Sequence, residues 1–371
     1  MTLRHLSISI PVAMILGSCM PGHSGDDRTA ARGPSVRVVD SVELSEPDSV
    51  PIGMLSYVAT RHGMVYIGDA DRGRILAFDR SGRLVGLIGA PGSGPGELRS
   101  ADAMFVLPGD TLLAVMDPAQ RALSVFDLRT RRFQRRVALP FIQTGQGWAV
   151  HGDTAEVALF ASPYLVGRWV LTNDSVSVLG NTPAHLLAAG FFYLAYGRPE
   201  VARVPEGWLL QLPAVPGLQL LDRSARPIRR LPFPAARRMG VPPDLLTKHR
   251  RQQENGEAFQ MLASSSIGMQ RLSNGDIAVL TVDVRVLRPP PNPQFGEYRF
   301  FVSLVSADLS RMCVDGELPV ATDATPMPAF NGDTLLFLSR LVDDNQRVRT
   351  TFYSLMVTSE DCEWVSIGQD G

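Results

Sequence analysis

Residues 65–98 read VYIGDADRGRILAFDRSGRLVGLIGAPGSGPGEL. The apolar runs VYIG, ILAF and LVGLI have strand length and are parted by polar, glycine-bearing turns. Upstream, TRHGMVYIGD centres on a turn at Gly63, so four short strands follow one another in antiparallel order. The closing GAPGSGPGEL, residues 89–98, resembles at first sight a loop whose backbone N–H groups cradle an anion. It lacks the Lys-Ser/Thr that a phosphate loop carries after its glycines, and it leads out of one strand into another rather than into a helix.

The unit recurs. An apolar run, a glycine-centred turn and a second apolar run appear around Gly63, Gly109, Gly152, Gly207, Gly275 and Gly332, at spacings of 46, 43, 55, 68 and 57 residues. Gly-Asp and Asn-Gly turns accept the positive φ of tight hairpins. A second hairpin follows the first in each clear repeat: 75–78 with 84–88 across DRSG, then ALSVFDLRTRRFQRRVAL. A four-stranded sheet cannot bury both faces alone, and radial stacking solves that. The expected fold is all-β: a six-bladed β-propeller of four-stranded antiparallel blades.

On these residues the first repeat resembles an NHL repeat. It has Asp69 after the second strand, Arg74 before the third, the Phe78–Asp79 pair, and the G-x-G-P-G-E segment that leads to the next blade. The second repeat keeps Asp117 and Phe126–Asp127 but has Ala122 where the arginine stood, and later repeats keep the hairpin rhythm. The whole resembles exported six-bladed propeller lipoproteins. In NHL repeats the aspartate at positions 69 and 117 fixes a turn by accepting backbone N–H groups. Ring closure is expected from the strand-like VRVVDSVELS, residues 36–45, as outer strand of the last blade. The C-terminal CEWVSIG competes for that place or adds beside it.

Residues 1–18 read as a lipoprotein signal peptide. Leu16-Gly17-Ser18-Cys19 is similar to a bacterial lipobox, which implies lipid on Cys19, export, and anchoring to the cell envelope on its periplasmic or outer-membrane face. Residues 19–35 are small and polar, a tether; the propeller is placed at 36–371. With Cys19 lipidated, Cys313 and Cys362 remain, an even pair in a compartment that permits a disulfide. Both are read as following the third strand of neighbouring blades, which sets distance against the bridge. A helical insertion between blades four and five is expected over 241–262, where Pro243 and Asp244 make a helix start. RPPPNPQFGEY, residues 288–298, is expected as an unpaired polyproline-like excursion.

The 371 residues are 45% hydrophobic and 20% charged, with net charge −1. No overall field favours nucleic acid. The six histidines (5, 23, 62, 151, 185 and 249) form no metal-binding spacing, and no GxSxG elbow is present. Fold logic places a ligand on the face of the second-to-third-strand turns and blade connectors, with Asp71, Arg72, Arg121, Tyr164, Arg168 and Tyr298 as candidate contacts. Arginine and tyrosine combine a fixed donor fork with aromatic area. The expected protein is a monomeric, non-enzymatic module for a protein or small-molecule ligand, without cofactor, metal or catalytic residues. The alternative is a metal-dependent lactonase-like or lyase-like enzyme using the central channel, since six-bladed relatives of those kinds hold calcium with Glu, Asn and Asp or zinc with His.

Overall fold

The computed structural model describes residues 32–368 except 48–49, 51, 142–147, 160–161, 185–186, 188–198, 213–214, 216, 234–247, 249–250, 252–263, 289–293, 323–327, 344 and 346. Six antiparallel sheets form the blades of a propeller. Blade one comprises Leu55–Arg61, Met64–Asp69, Arg74–Phe78 and Leu84–Ile88. Blade two comprises Ala103–Val106, Leu112–Asp117, Ala122–Asp127 and Phe133–Ala138. Blade three follows as Ala149–His151, Thr154–Ala158, Val166–Val170 and Ser175–Leu179. Blade four is Glu200–Val204, Gly207–Gln211, Leu218–Asp222 and Pro227–Leu231.

The apolar residues of each sheet face the next blade, so the core is a set of interblade layers. One cluster joins Ile75 and Ala77 of blade one to Val115 and Val125 of blade two and Trp169 of blade three. Others join blades four and five through Leu220 and Val279, and five and six through Phe300 and Phe337, whose rings meet edge-on at 5.0 Å. The ring closes by packing Phe352 and Leu336 against Leu76 and Phe78.

The last two blades depart from the pattern. Blade five has long central strands, Ile277–Arg288 and Gln294–Val305, after Ser264–Arg271 and before Arg311–Glu317. Blade six has Ala329–Asn331, Thr334–Val342 and Val348–Thr358, and takes its outer strand, Ser35–Leu44, from the start of the chain. The strand expected at 36–45 therefore closes the ring. The C-terminal segment does neither thing expected of it. Val365–Ser366 leaves blade six and adds to the fourth strand of blade five, making that sheet five-stranded.

This crossing explains the cysteines. Cys313 lies inside the fourth strand of blade five, and Cys362 lies in the crossing tail, so they are not equivalent blade positions as the sequence reading had them. They form a disulfide with Cα atoms 5.7 Å apart. The tail also straps the chain start: Glu363 N donates to Arg32 O at 2.8 Å, and Ser35 Oγ donates to Asp361 Oδ2 at 2.6 Å. The proline-rich excursion needs a second correction. Arg288 pairs with Gln294 and Val284 with Tyr298, so both ends of 288–298 are strand. Prolines forbid ladder donation only where they sit, and here they fall within 289–293, outside the described residues. The helical insertion expected over 241–262 lies, but for Lys248 and Arg251, outside the described residues, as do the signal peptide and Cys19.

Candidate functional site

The first strands of the six blades surround a central channel. Its cavity measures about 220 Å³, and every blade contributes to the wall. Tyr57, Phe105, Trp148 and Phe330 supply aromatic surface, with Ile267 and Met269 between them. Phe105 stacks on Trp148 with ring centres 5.3 Å apart. The inner members Tyr57, Trp148, Glu200 and Ile267 are buried, while Arg61, Asp110, Asn331 and Gly332 are more exposed. The mouth therefore opens among the first-to-second-strand turns.

Those turns also clasp the blades together. Arg61 of blade one forms an ion pair with Asp110 of blade two. Asn331 of blade six donates from Nδ2 to Thr60 Oγ1 of blade one at 3.0 Å. Ser273 of blade five donates from its backbone N–H to Asp333 Oδ1 of blade six at 2.6 Å. The aspartates of two Gly-Asp turns, Asp110 and Asp333, thus hold neighbouring blades in addition to shaping their own hairpins.

The GAPGSGPGEL segment lies on the opposite face and is a joint. Glu97 Oε2 accepts the N–H of Gly94 at 2.7 Å. Arg136, on the outer strand of blade two, donates to the carbonyls of Ser93, Gly94 and Glu97 and to Gln120 Oε1, at 2.8–3.2 Å. Gln120 Nε2 reaches the carbonyls of Gly92 and Glu97. The loop thus turns carbonyls toward one guanidinium instead of offering N–H groups to an anion. Gly96 is needed for the path: its φ is +79°, and a Cβ there would stand 2.9 Å from Phe133 Cβ.

Of the NHL-like aspartates, Asp117 accepts backbone N–H groups as expected, whereas Asp69 spans its turn through a side chain, and its Oδ1 is without a hydrogen-bond partner. Asp69 accepts Arg74 Nε at 3.0 Å. Asp117 accepts the N–H of Gln120 at 3.1 Å and that of Arg99, in the blade connector, at 2.7 Å. Blade two has no arginine at 122, and Gln120 Nε2 supplies the missing donor to Asp117 at 2.6 Å.

A second aspartate series begins with Asp79 and Asp127 of the repeat motif and continues at Asp222 and Asp308, which the sequence reading missed. Asp79 Oδ1 accepts the N–H groups of Ser81 and Arg83, and Asp222 Oδ1 accepts those of Ser224 and Arg226. The signal was available: DRSGR at 79–83 and DRSAR at 222–226 differ only at the left-handed position, Gly82 or Ala225. Asp127 and Asp308 repeat the device with Thr130 and Ser310. These bonds hold all four carboxyls below their usual range. Asp308 goes to about 2, chiefly through the hydroxyl of Ser306 and then that of Ser310.

The six candidate ligand contacts do not converge on the channel. Asp71 and Arg72 form a 3-10 turn on blade one, and Arg121, at φ +51°, donates to Pro140 O at 3.3 Å. Tyr164 is 41% exposed on the blade-three turn, and its carbonyl accepts Thr182 Oγ1 at 3.0 Å. Tyr298 stacks against Phe300 within blade five. Arg168 is a mid-strand residue, not a loop residue. It meets buried Glu156 at 3.0 Å, and Glu156 also accepts Trp208 Nε1 at 2.7 Å. Arg168 and Arg203 lie over the Trp208 ring at 5.3 and 4.6 Å, which makes a cation–π cement between blades three and four. Register alone brings Glu156 opposite Arg168. Nearby, burial pushes His151 below its ordinary value; Glu156 opposes this, and Arg203 and Arg271 reinforce it.

Among the described residues, no three of His, Cys, Asp and Glu gather as metal ligands. The channel wall has two carboxylates there, Asp110 and Glu200.

A protein-family profile described as a 6-bladed β-propeller matches residues 35–157, from the ring-closing strand into blade three. No curated protein matches the sequence. A Bacteroides fragilis protein described as exported is similar in structure, with 14% identity over 87% of this chain and 95% of that one, TM-score 0.53. A DUF4221-family protein of Bacteroides vulgatus is similar with 9% identity over 88% and 99%, TM-score 0.55. A regucalcin of Agrobacterium tumefaciens, described as calcium-binding, aligns more loosely, with 15% identity over 88% and 95%, TM-score 0.45. At these identities the likeness is one of fold.

Proposed function

We propose that this protein is an exported, lipid-anchored propeller that binds a ligand in its central channel without transforming it. The observation that carries the reading is the channel cavity, walled by all six blades and lined chiefly by polar groups, with aromatic rings among them. The lipobox-like LGSC at 16–19 supports export and a lipid on Cys19. Asp110, Glu200 and Asn331 all line the channel, although no three of His, Cys, Asp and Glu gather among the described residues, so the metal-enzyme alternative turns on whether the purified protein holds calcium or zinc. The candidate contacts on the opposite face then serve a partner protein or solvent.

Native mass spectrometry of protein purified from its envelope tests this. A small noncovalent mass is expected on the wild type and absent from Ala329→Phe, which adds a ring at the channel wall and is checked for an unchanged unfolding midpoint. Tightly held calcium or zinc, whose chelation abolishes a hydrolytic activity, would overturn the non-enzymatic reading. Cys19→Ala is expected to release the protein from membranes; persistent membrane association sinks the anchor.

A further inference from the structure

The polar groups at the channel mouth are each used at one end only. Arg61 donates from Nη2 to Asp110 Oδ2, Asn331 uses Nδ2 on Thr60, and Gln270 uses Nε2 on Arg271 O. Among the described residues, Arg61 Nη1, Asp110 Oδ1, Asn331 Oδ1 and Gln270 Oε1 carry no hydrogen bond. All four residues line the cavity. The mouth thus offers free N–H donors on Arg61 and three free acceptors around an ion pair whose charges cancel.

This pattern selects a ligand. An anion meets the buried carboxylate of Glu200 in the wall, and at the mouth a cation gains no net attraction from the paired Arg61 and Asp110, yet either loses its water. A purely apolar molecule would leave four polar groups unpaired, which is disfavoured. A hydroxyl both donates and accepts, so it satisfies either kind of partner. The volume, about 220 Å³, holds roughly seven waters at about 30 Å³ each. It lies below the roughly 300–1,000 Å³ range of drug-sized ligand pockets, a size that suits a small molecule. Tyr57, Phe105, Trp148 and Phe330 bring aromatic atoms to the wall, against which a C–H surface can pack.

We infer that the channel binds a small neutral polyhydroxylated molecule, a monosaccharide or cyclic polyol. Its hydroxyls replace channel waters on Arg61, Asp110, Gln270 and Asn331, and its C–H face lies on the aromatic wall. The inference rests on the proposal that the channel is the binding site, and it names the ligand class for that site.

Titration calorimetry on the full mature chain tests it with neutral hexoses, methyl hexosides, cyclic hexitols, the matching sugar acids and amino sugars, and indole. At least one neutral polyol is expected to bind, at least tenfold tighter than its charged counterparts. Gln270→Ala is expected to weaken it about tenfold, the effect of one lost hydrogen bond of about 1.4 kcal/mol, with an unchanged unfolding midpoint. Arg61→Ala, checked for folding in the same way, is expected to weaken it further. Binding by methyl hexosides points to the end of a glycan, and loss of binding on methylation to a free sugar; both keep the ligand class. Preference for an acid, an amine or indole overturns the polyol and leaves the channel reading intact, provided Ala329→Phe abolishes that binding. No binding by any probe, with no small mass on the purified protein, overturns both.

Discussion

Between blades one and two, the chain is held by a guanidinium; between blades five and six, it is held by a covalent bond. Arg136 gathers three carbonyls of the 89–98 connector, and Gln120 and Glu97 satisfy much of what remains. At the other seam, the tail beyond Thr358 passes Ser35 and then Arg32 and is fixed to blade five by Cys313–Cys362. The difference follows from chain connectivity. Blades one and two are consecutive, so a short connector keeps their joint in place. The outer strand of blade six arrives from the far end of the sequence, and nothing local keeps it near its partner. A crosslink matters most where the sequence supplies no proximity.

The comparison can be broken at the covalent seam first. The disulfide spans 49 residues, and on chain-entropy grounds closing a loop of that length contributes about 4 kcal/mol. Reduction by a dithiol, or Cys362→Ala, is expected to lower the denaturant midpoint by a corresponding amount. An unchanged midpoint would show that hydrogen bonds suffice there too. The next largest effect is expected from Arg136→Ala, about 2 kcal/mol, because three carbonyls and Gln120 lose a charged donor. Arg136→Lys should recover less than half, since an ammonium lacks the planar fork. If Lys recovers all of it, charge rather than geometry holds the joint.

Smaller still is Gly96→Ala, expected to destabilise by about 1–2 kcal/mol through its left-handed backbone and the approach to Phe133. The smallest effect is acid. Asp79, Asp127, Asp222 and Asp308 are more acidic folded than unfolded. Their contribution is complete above the usual aspartate value of 3.8 and is lost as pH falls toward about 2, where Asp308 titrates. Both regions carry such turns, so acid should loosen them alike. NMR titration of the Ser81 and Ser310 amides separates the turns, and a turn that melts near neutral pH would contradict the sign.

What the sequence made legible follows the same division. Blade one was readable because its strands and turns are contiguous: Gly63, Asp79 and Gly82 each act on residues a few positions away. The long strand at the chain start was readable as a strand, and its place in blade six followed from ring closure. The tail was not, because Val365–Ser366 is two residues long and its partner lies in another blade. The channel was also hidden. Tyr57, Phe105, Trp148 and Phe330 come one from each of four blades and read individually as core. Arg168 was placed in a loop because strand register, which sets it against Glu156, cannot be counted from sequence alone.

The ring-closing strand also has a history. Ser35 pairs with Thr358, so the first strand to be made is among the last to find its partner. Until then the Val348–Thr358 strand presents an open edge, and contacts of such long range are slow to form. A chain emerging into a compartment in this state is exposed to pairing with its neighbours. The tail, made last, meets Arg32 beside that strand. Neither cysteine lies on that strand, but Cys313 Sγ sits 3.5 Å from Arg32 O, so the disulfide forms beside the seam that the strand closes.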